Sequence, residues 1–259
     1  MLRRLLAKRQ ARQRAVLGAI ASFAVLLTAI LYLTETLDTT LQTAVYDRAL
    51  TNSPAEVRGQ ITIVAIDDPT ITKYGVYPLP RRAYADLLNA LRPQSPSVVA
   101  FDVSFYDRSP SPEDDALLGA AIRESGNVVL AMQGVGEDEI SAHRIKYSAL
   151  QLPIPELRNA AAALGAVNIR QDPDHVVRDS QLVIEGPDGT RFFGLPLVAA
   201  AKHLRGDLAR SRIEGDRFIL PTNTTDRTMP INRGGGMSIY YAAEPQLTFL
   251  FHRHDRARD

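Results

Sequence analysis

A run of nineteen residues without a charge or a proline, "AVLGAIASFAVLLTAILYL" from Ala15 to Leu33, sets the first constraint on this chain. At ~1.5 Å per residue a helix of that length spans roughly 28 Å, close to the ~30 Å hydrocarbon core of a bilayer. Arg3, Arg4, Lys8, Arg9, Arg12 and Arg14 precede it with no acid among them. A cleaved signal peptide has a shorter apolar core and a small-x-small site after it. Here "TETLDTT" follows. The run therefore predicts an uncleaved signal-anchor helix over 15–33, with residues 1–14 kept in the cytoplasm by the positive-inside rule. Everything after Leu33 is then extracytoplasmic, on a single-pass protein of the cell (inner) membrane.

The rest of the 259 residues has an ordinary globular composition, 45% hydrophobic and 23% charged, with a net charge of +1. That balance points to no nucleic acid or other polyanion as partner. There is no cysteine, so disulfides, zinc–thiolate sites and cysteine nucleophiles are excluded.

After a membrane-proximal helix expected over Thr34–Asn52, the pattern alternates. Strands are expected at Ile61–Ile66, Ser97–Phe105 and Asn127–Ala131, and helices at Arg81–Leu91 and Pro112–Glu124. Ser111 is placed to cap the second helix, three acids fill its first turn, and Gly126 is placed to end it. Near-continuous apolar strands between amphipathic helices predict an α/β fold, mainly a parallel sheet with helices on both faces. Gly134–Leu152 reads as a surface excursion and Ile154–Ala163 as a helix. "GAVNI", "SQLVIE", "RFFG", "RFIL" and "MPIN" read as short strands of an antiparallel extension. Leu195–Leu204 reads as a helix, and "GPDGT" as a turn.

The candidate site is the carboxyl edge of the sheet, where open parallel sheets tend to bind ligands. Asp67 and Asp68 end the first expected strand and Asp102 lies near the end of the second, flanked by Phe101 and Val103 and so expected to be buried. Pro78 and Pro80 stiffen the loop "YPLPRR". Arg81 begins a helix, the wrong end for a cation unless a carboxylate compensates it. An Arg81–acid pair follows as an expectation. A buried Asp102 needs a partner, with Arg81 or backbone amides as candidates. "INRGGG", with Asn232 and Arg233, is either an anion-wrapping amide nest or a turn. Asn168 and Arg178 hold a turn or line a pocket. No catalytic residue and no metal site is assigned: P-loop, G-x-S-x-G and H-E-x-x-H motifs are absent, and His252 and His254 sit in a terminal tail. No cofactor is expected.

"IVAIDD", "YPLPRR-x-YADLLNAL", "VVAFDVSF", "DDALLGAAI", "LGAVNIRQDPDHVVRD", "FGLPLVAAA" and "MPINRGGG", in that order over roughly Ala44 to Ala243, resemble the type-two CHASE domain, the extracellular sensory domain associated with cyclases and histidine kinases. The resemblance implies an extracytoplasmic signal-input domain over 34–245 behind a membrane anchor, sensing an unidentified small-molecule or protein signal. It also implies further membrane helices and a cytoplasmic cyclase or kinase output. The family reads tryptophan-proline-tryptophan-proline-arginine where this chain has Tyr77 and Leu79 in place of the tryptophans. Residues 246–259 form an atypical polar tail, from which a chain cut short before its output domain is expected. The rival readings are a homodimerising scaffold, with Thr34–Asn52 as its contact, and a carboxylate-dependent hydrolase.

Overall fold

The stretch Val128–Met132 is apolar at every position and at most 1% exposed, as a strand covered on both faces must be. In a computed structural model that describes residues 2–33, 43–48, 61–141, 143–172 and 174–239, it opens strand β2 (Val128–Ser141). β2 pairs in parallel with β1 (Val99–Phe101) on one side and with β4 (Ala163–Ala166) on the other. Beyond Met132 it runs antiparallel to β3 (Arg144–Gln151), which is parallel to β6 (Val183–Glu185); β6 in turn pairs antiparallel with β7 (Arg191–Phe193). Parallel and antiparallel ladders thus share one six-stranded sheet.

Alternation along β2 distributes its side chains between two layers. Val128 and Leu130 pack into a core with Tyr84 and Leu88 of one helix, and with Leu118 and Ile122 of another. Val129 faces the opposite way, onto Leu195 and Val198. Helices therefore cover both faces, as expected. A separate cluster joins Leu197 and Ala201 to Phe218 and Leu220 of a small antiparallel sheet. That sheet is made of β8 (Arg212–Glu214), β9 (Arg217–Leu220) and β10 (Arg227–Pro230). β5 (Asp179–Gln181) and β11 (Gly236–Ser238) form a further antiparallel pair.

The N-terminal unit is described by itself. Helix α1 (Leu2–Leu33) contains a candidate membrane span, Gln13–Ile30, by length and composition, with none of it buried in protein. A helix apolar on all sides needs an apolar surround. Residues 43–48 are helical; the rest of the Thr34–Asn52 helix, and the tail 246–259, lie outside the described residues.

Several expected elements differ. Ile61–Ile66 is extended but joins no ladder among the described residues, although Ile66 packs on the main core. β-branched content favours an extended backbone, but a strand also needs a neighbour to pair with. A helix not foreseen, α2 (Asp68–Tyr74), follows at once. The second expected strand shrinks to β1. Gly134–Leu152 is no loose excursion: it is the long β2–β3 hairpin, whose alternating pattern (Ile145 and Tyr147 buried) is hidden by the polar "GEDEIS". The expected helix Ile154–Ala163 reduces to α5 (Pro155–Arg158), because Ala163 is claimed by β4. Helices α3 (Arg81–Leu91), α4 (Pro112–Ser125) and α6 (Leu195–Leu204) lie where the sequence places them.

Candidate functional site

The adjacent aspartates are explained by the start of α2. Asp67 has extended backbone (φ −101°, ψ 172°), and its side chain accepts from Thr70 N at 2.9 Å, capping the helix. Asp68 is exposed in the first turn, where the dipole favours a carboxylate. Gly75, at φ +68°, ends the helix in the left-handed conformation that glycine adopts freely. Asp67→Ala should cost about 1 kcal/mol as a lost N-cap, and Asp68→Ala less than ~0.5 kcal/mol. Thermal melting of the two variants checks the order.

Arg81 does pair with an acid, and the acid is Asp115. Its Nε lies 3.3 Å from Asp115 Oδ1, its Nη2 donates to Asp107 O at 2.8 Å, and its guanidinium carbon stands 4.4 Å from the Phe105 ring centroid. Asp115 Oδ2 accepts from Ser109 N at 2.9 Å. The neighbouring Arg82 reaches Asp114 at 3.2 Å. Two arginines at the start of α3 thus meet two aspartates at the start of α4. Each α4 acid is placed favourably for its own helix dipole and cancels a cation placed unfavourably for the dipole of α3. Asp102 takes no part: it is exposed, which corrects the expectation that it is buried. Flanking apolar residues bury themselves, but successive strand side chains point to opposite faces.

The loop before α3 divides by exposure. Leu79 is 3% exposed and belongs to the core, whereas Tyr77 is 66% exposed. Pro78 follows a cis peptide bond, and Pro80 takes the N-cap position of α3 without a side-chain cap. Of Tyr77 and Leu79, Tyr77 alone can reach a ligand from solvent.

The remaining polar residues are engaged. Asn168 donates to Gly134 O and accepts from Gly134 N, both at 2.8 Å. It stands in for a strand residue where β4 ends and β2 continues. Arg178, 7% exposed, donates to Asp172 Oδ2 at 2.7 Å and to both oxygens of Asp174 at 2.9 and 2.7 Å. Asn232 Oδ1 accepts from the amides of Gly234 and Gly236 at 2.9 and 3.0 Å, and its Nδ2 donates to Asp179 at 2.5 Å. The Gly235 amide is taken by Asn232 O at 2.9 Å. The glycine loop therefore spends its amides on Asn232, so it is a turn rather than a nest waiting for an anion. Arg233 is exposed.

The Arg178 hydrogen bonds hold the Asp174 carboxyl down to about 2, below its ordinary value near 3.9. A depressed folded-state value means stabilisation present above about pH 4 and lost as the pH falls towards 2. Asp174→Asn should flatten the fall in melting temperature between about pH 4 and pH 2; melting curves across that range check it.

The sequence foresaw an acid for Arg81 but not which one. The signal was available: acids in one helix's first turn and arginines in the other's. Among the described residues, no group of three or more His, Asp or Glu side chains is arranged to hold a metal ion. What the geometry offers is a set of polar staples holding helices, hairpin and loops together.

No curated protein and no solved structure matches the chain. The family model for the CHASE2 domain matches residues 22–255, nearly the whole chain and the full reach of the polar staples described above. CHASE2 is a family of extracellular sensory domains of signal-transduction proteins. The chain belongs to the CHASE2 domain family.

Proposed function

We propose that this chain is a membrane-anchored, extracytoplasmic signal-input module of the inner membrane that serves a cyclase or kinase output. The CHASE2 match carries this reading. The candidate span Gln13–Ile30 supplies an anchor, and the basic residues before it favour a cytoplasmic N-terminus. The proposed chemistry is binding rather than catalysis, in keeping with a sensory family and with carboxylates engaged in capping and ion pairs.

Alkaline phosphatase joined after Ile239 should be active in a bacterial host, because the enzyme matures only outside the cytoplasm. β-Galactosidase at the same junction should be inactive. The reverse pattern would place the domain inside the cell and end this reading.

A further inference from the structure

A cavity of about 270 Å³ opens at the amino edge of the parallel sheet, the edge away from Asp67 and Arg81. Leu91 and Val99 form its apolar side, with Leu88 buried in the core behind them. Its polar rim divides into groups already engaged and groups that are not. Asn127 Nδ2 donates to Pro96 O at 2.5 Å, and Ser125 Oγ donates to Ala121 O at 2.8 Å. Arg92 uses only Nη2, towards Asn89 Oδ1 and Glu124 Oε2, each at 2.7 Å. Its Nε and Nη1, and the hydroxyl of Ser95, have no protein partner among the described residues.

A guanidinium and a hydroxyl beside an apolar wall suit a carboxylate on a short aliphatic body. The guanidinium fork offers parallel donors that match a carboxylate's two oxygens. The volume corresponds to about nine waters at ~30 Å³ each, at the small end of ligand pockets. The Arg92–Glu124 pair is 43% and 61% exposed. An ion pair that open to water is weak, so a ligand carboxylate can replace Glu124 at little cost.

We infer that this cavity binds a short-chain aliphatic carboxylate, held by Arg92 and Ser95 with its chain against Leu91 and Val99. As a signal this ligand rests on the sensory reading above; as a ligand it does not.

Equilibrium dialysis of labelled hexanoate against the full chain in lipid nanodiscs, with empty discs as blank, tests it. Saturable binding is expected, with hexylamine unable to displace it. Arg92→Gln should weaken binding at least about tenfold, the loss of a charge-assisted hydrogen bond. Glu124→Gln should tighten it about threefold by removing the competing carboxylate, whereas a purely structural Arg92–Glu124 pair predicts no gain. Both side chains are exposed, so both variants should melt like the parent. No binding above blank by either the parent or Glu124→Gln overturns the inference, as does equal binding by parent and Arg92→Gln. The reporter-fusion result stands apart from all of these outcomes.

Discussion

Asp115→Ala should destabilise the sensory domain by about 3–4 kcal/mol, in the lower part of the range for removing one partner of a buried ion pair. The Asp115 side chain is 3% exposed and that of Arg81 11%. The substitution strands a guanidinium whose remaining contacts are one carbonyl and the face of Phe105. It also orphans the Ser109 amide. At roughly 2–4 °C per kcal/mol for a domain of this size, the melting temperature should fall by about 6–16 °C. The neighbouring pair supplies the control. Arg82 is 60% exposed in its pair with Asp114, so Arg82→Ala should cost less than about 1 kcal/mol. Equal losses from Asp115→Ala and Arg82→Ala would show that burial does not govern these pairs.

Gly235→Ala should be nearly as costly. Gly235 sits at φ +77°, and a Cβ there would lie 1.8 Å from His143 O and 2.6 Å from His143 C, both backbone atoms at the tip of the β2–β3 hairpin. Relief requires the tip to move off the glycine loop. That movement breaks His143 N to Arg233 O at 3.1 Å and the His143 Nδ1 contact with Asn232 O at 2.9 Å. Left-handed strain of ~1–2 kcal/mol, added to two hydrogen bonds at ~1 kcal/mol each, gives about 3 kcal/mol. Gly189 isolates the strain, since it has φ +79° with nothing within 4 Å of its Cβ position. Gly189→Ala should therefore cost only about 1–2 kcal/mol. Hydrogen exchange should show faster exchange over 143–151 in Gly235→Ala alone.

The sequence carried the fold unevenly, for reasons visible at particular residues. Helices with chemical punctuation were legible. Ser111, Pro112 and Gly126 mark both ends of α4, and Ser111 does accept from Asp114 N. The helix α2 was hidden because its cap, Asp67, follows six β-branched or apolar residues that read as a strand running into an acidic site. The same aspartate side chain serves as cap or catalyst, and only Thr70, three residues on, distinguishes the two. The hairpin was hidden because the polar run "GEDEIS" interrupts the apolar alternation by which a strand is read. Of the candidate site, the need of Arg81 for an acid followed from helix electrostatics alone. The identity of that acid depended on how α3 and α4 pack, which no local pattern encodes. Asn168 could not be read at all: its role requires knowing that β4 ends opposite Met132, which brings Asn168 beside Gly134.

Arg81, which the sequence places in the candidate site, is with Asp115 the structural fastening of α3 to α4. A double-mutant cycle on Arg81 and Asp115, by denaturant unfolding of Arg81→Ala, Asp115→Ala and the double variant, measures that fastening directly. A coupling of about 2 kcal/mol or more between the two sites is predicted. Additivity within ~0.3 kcal/mol would contradict it and return these residues to the search for a binding site.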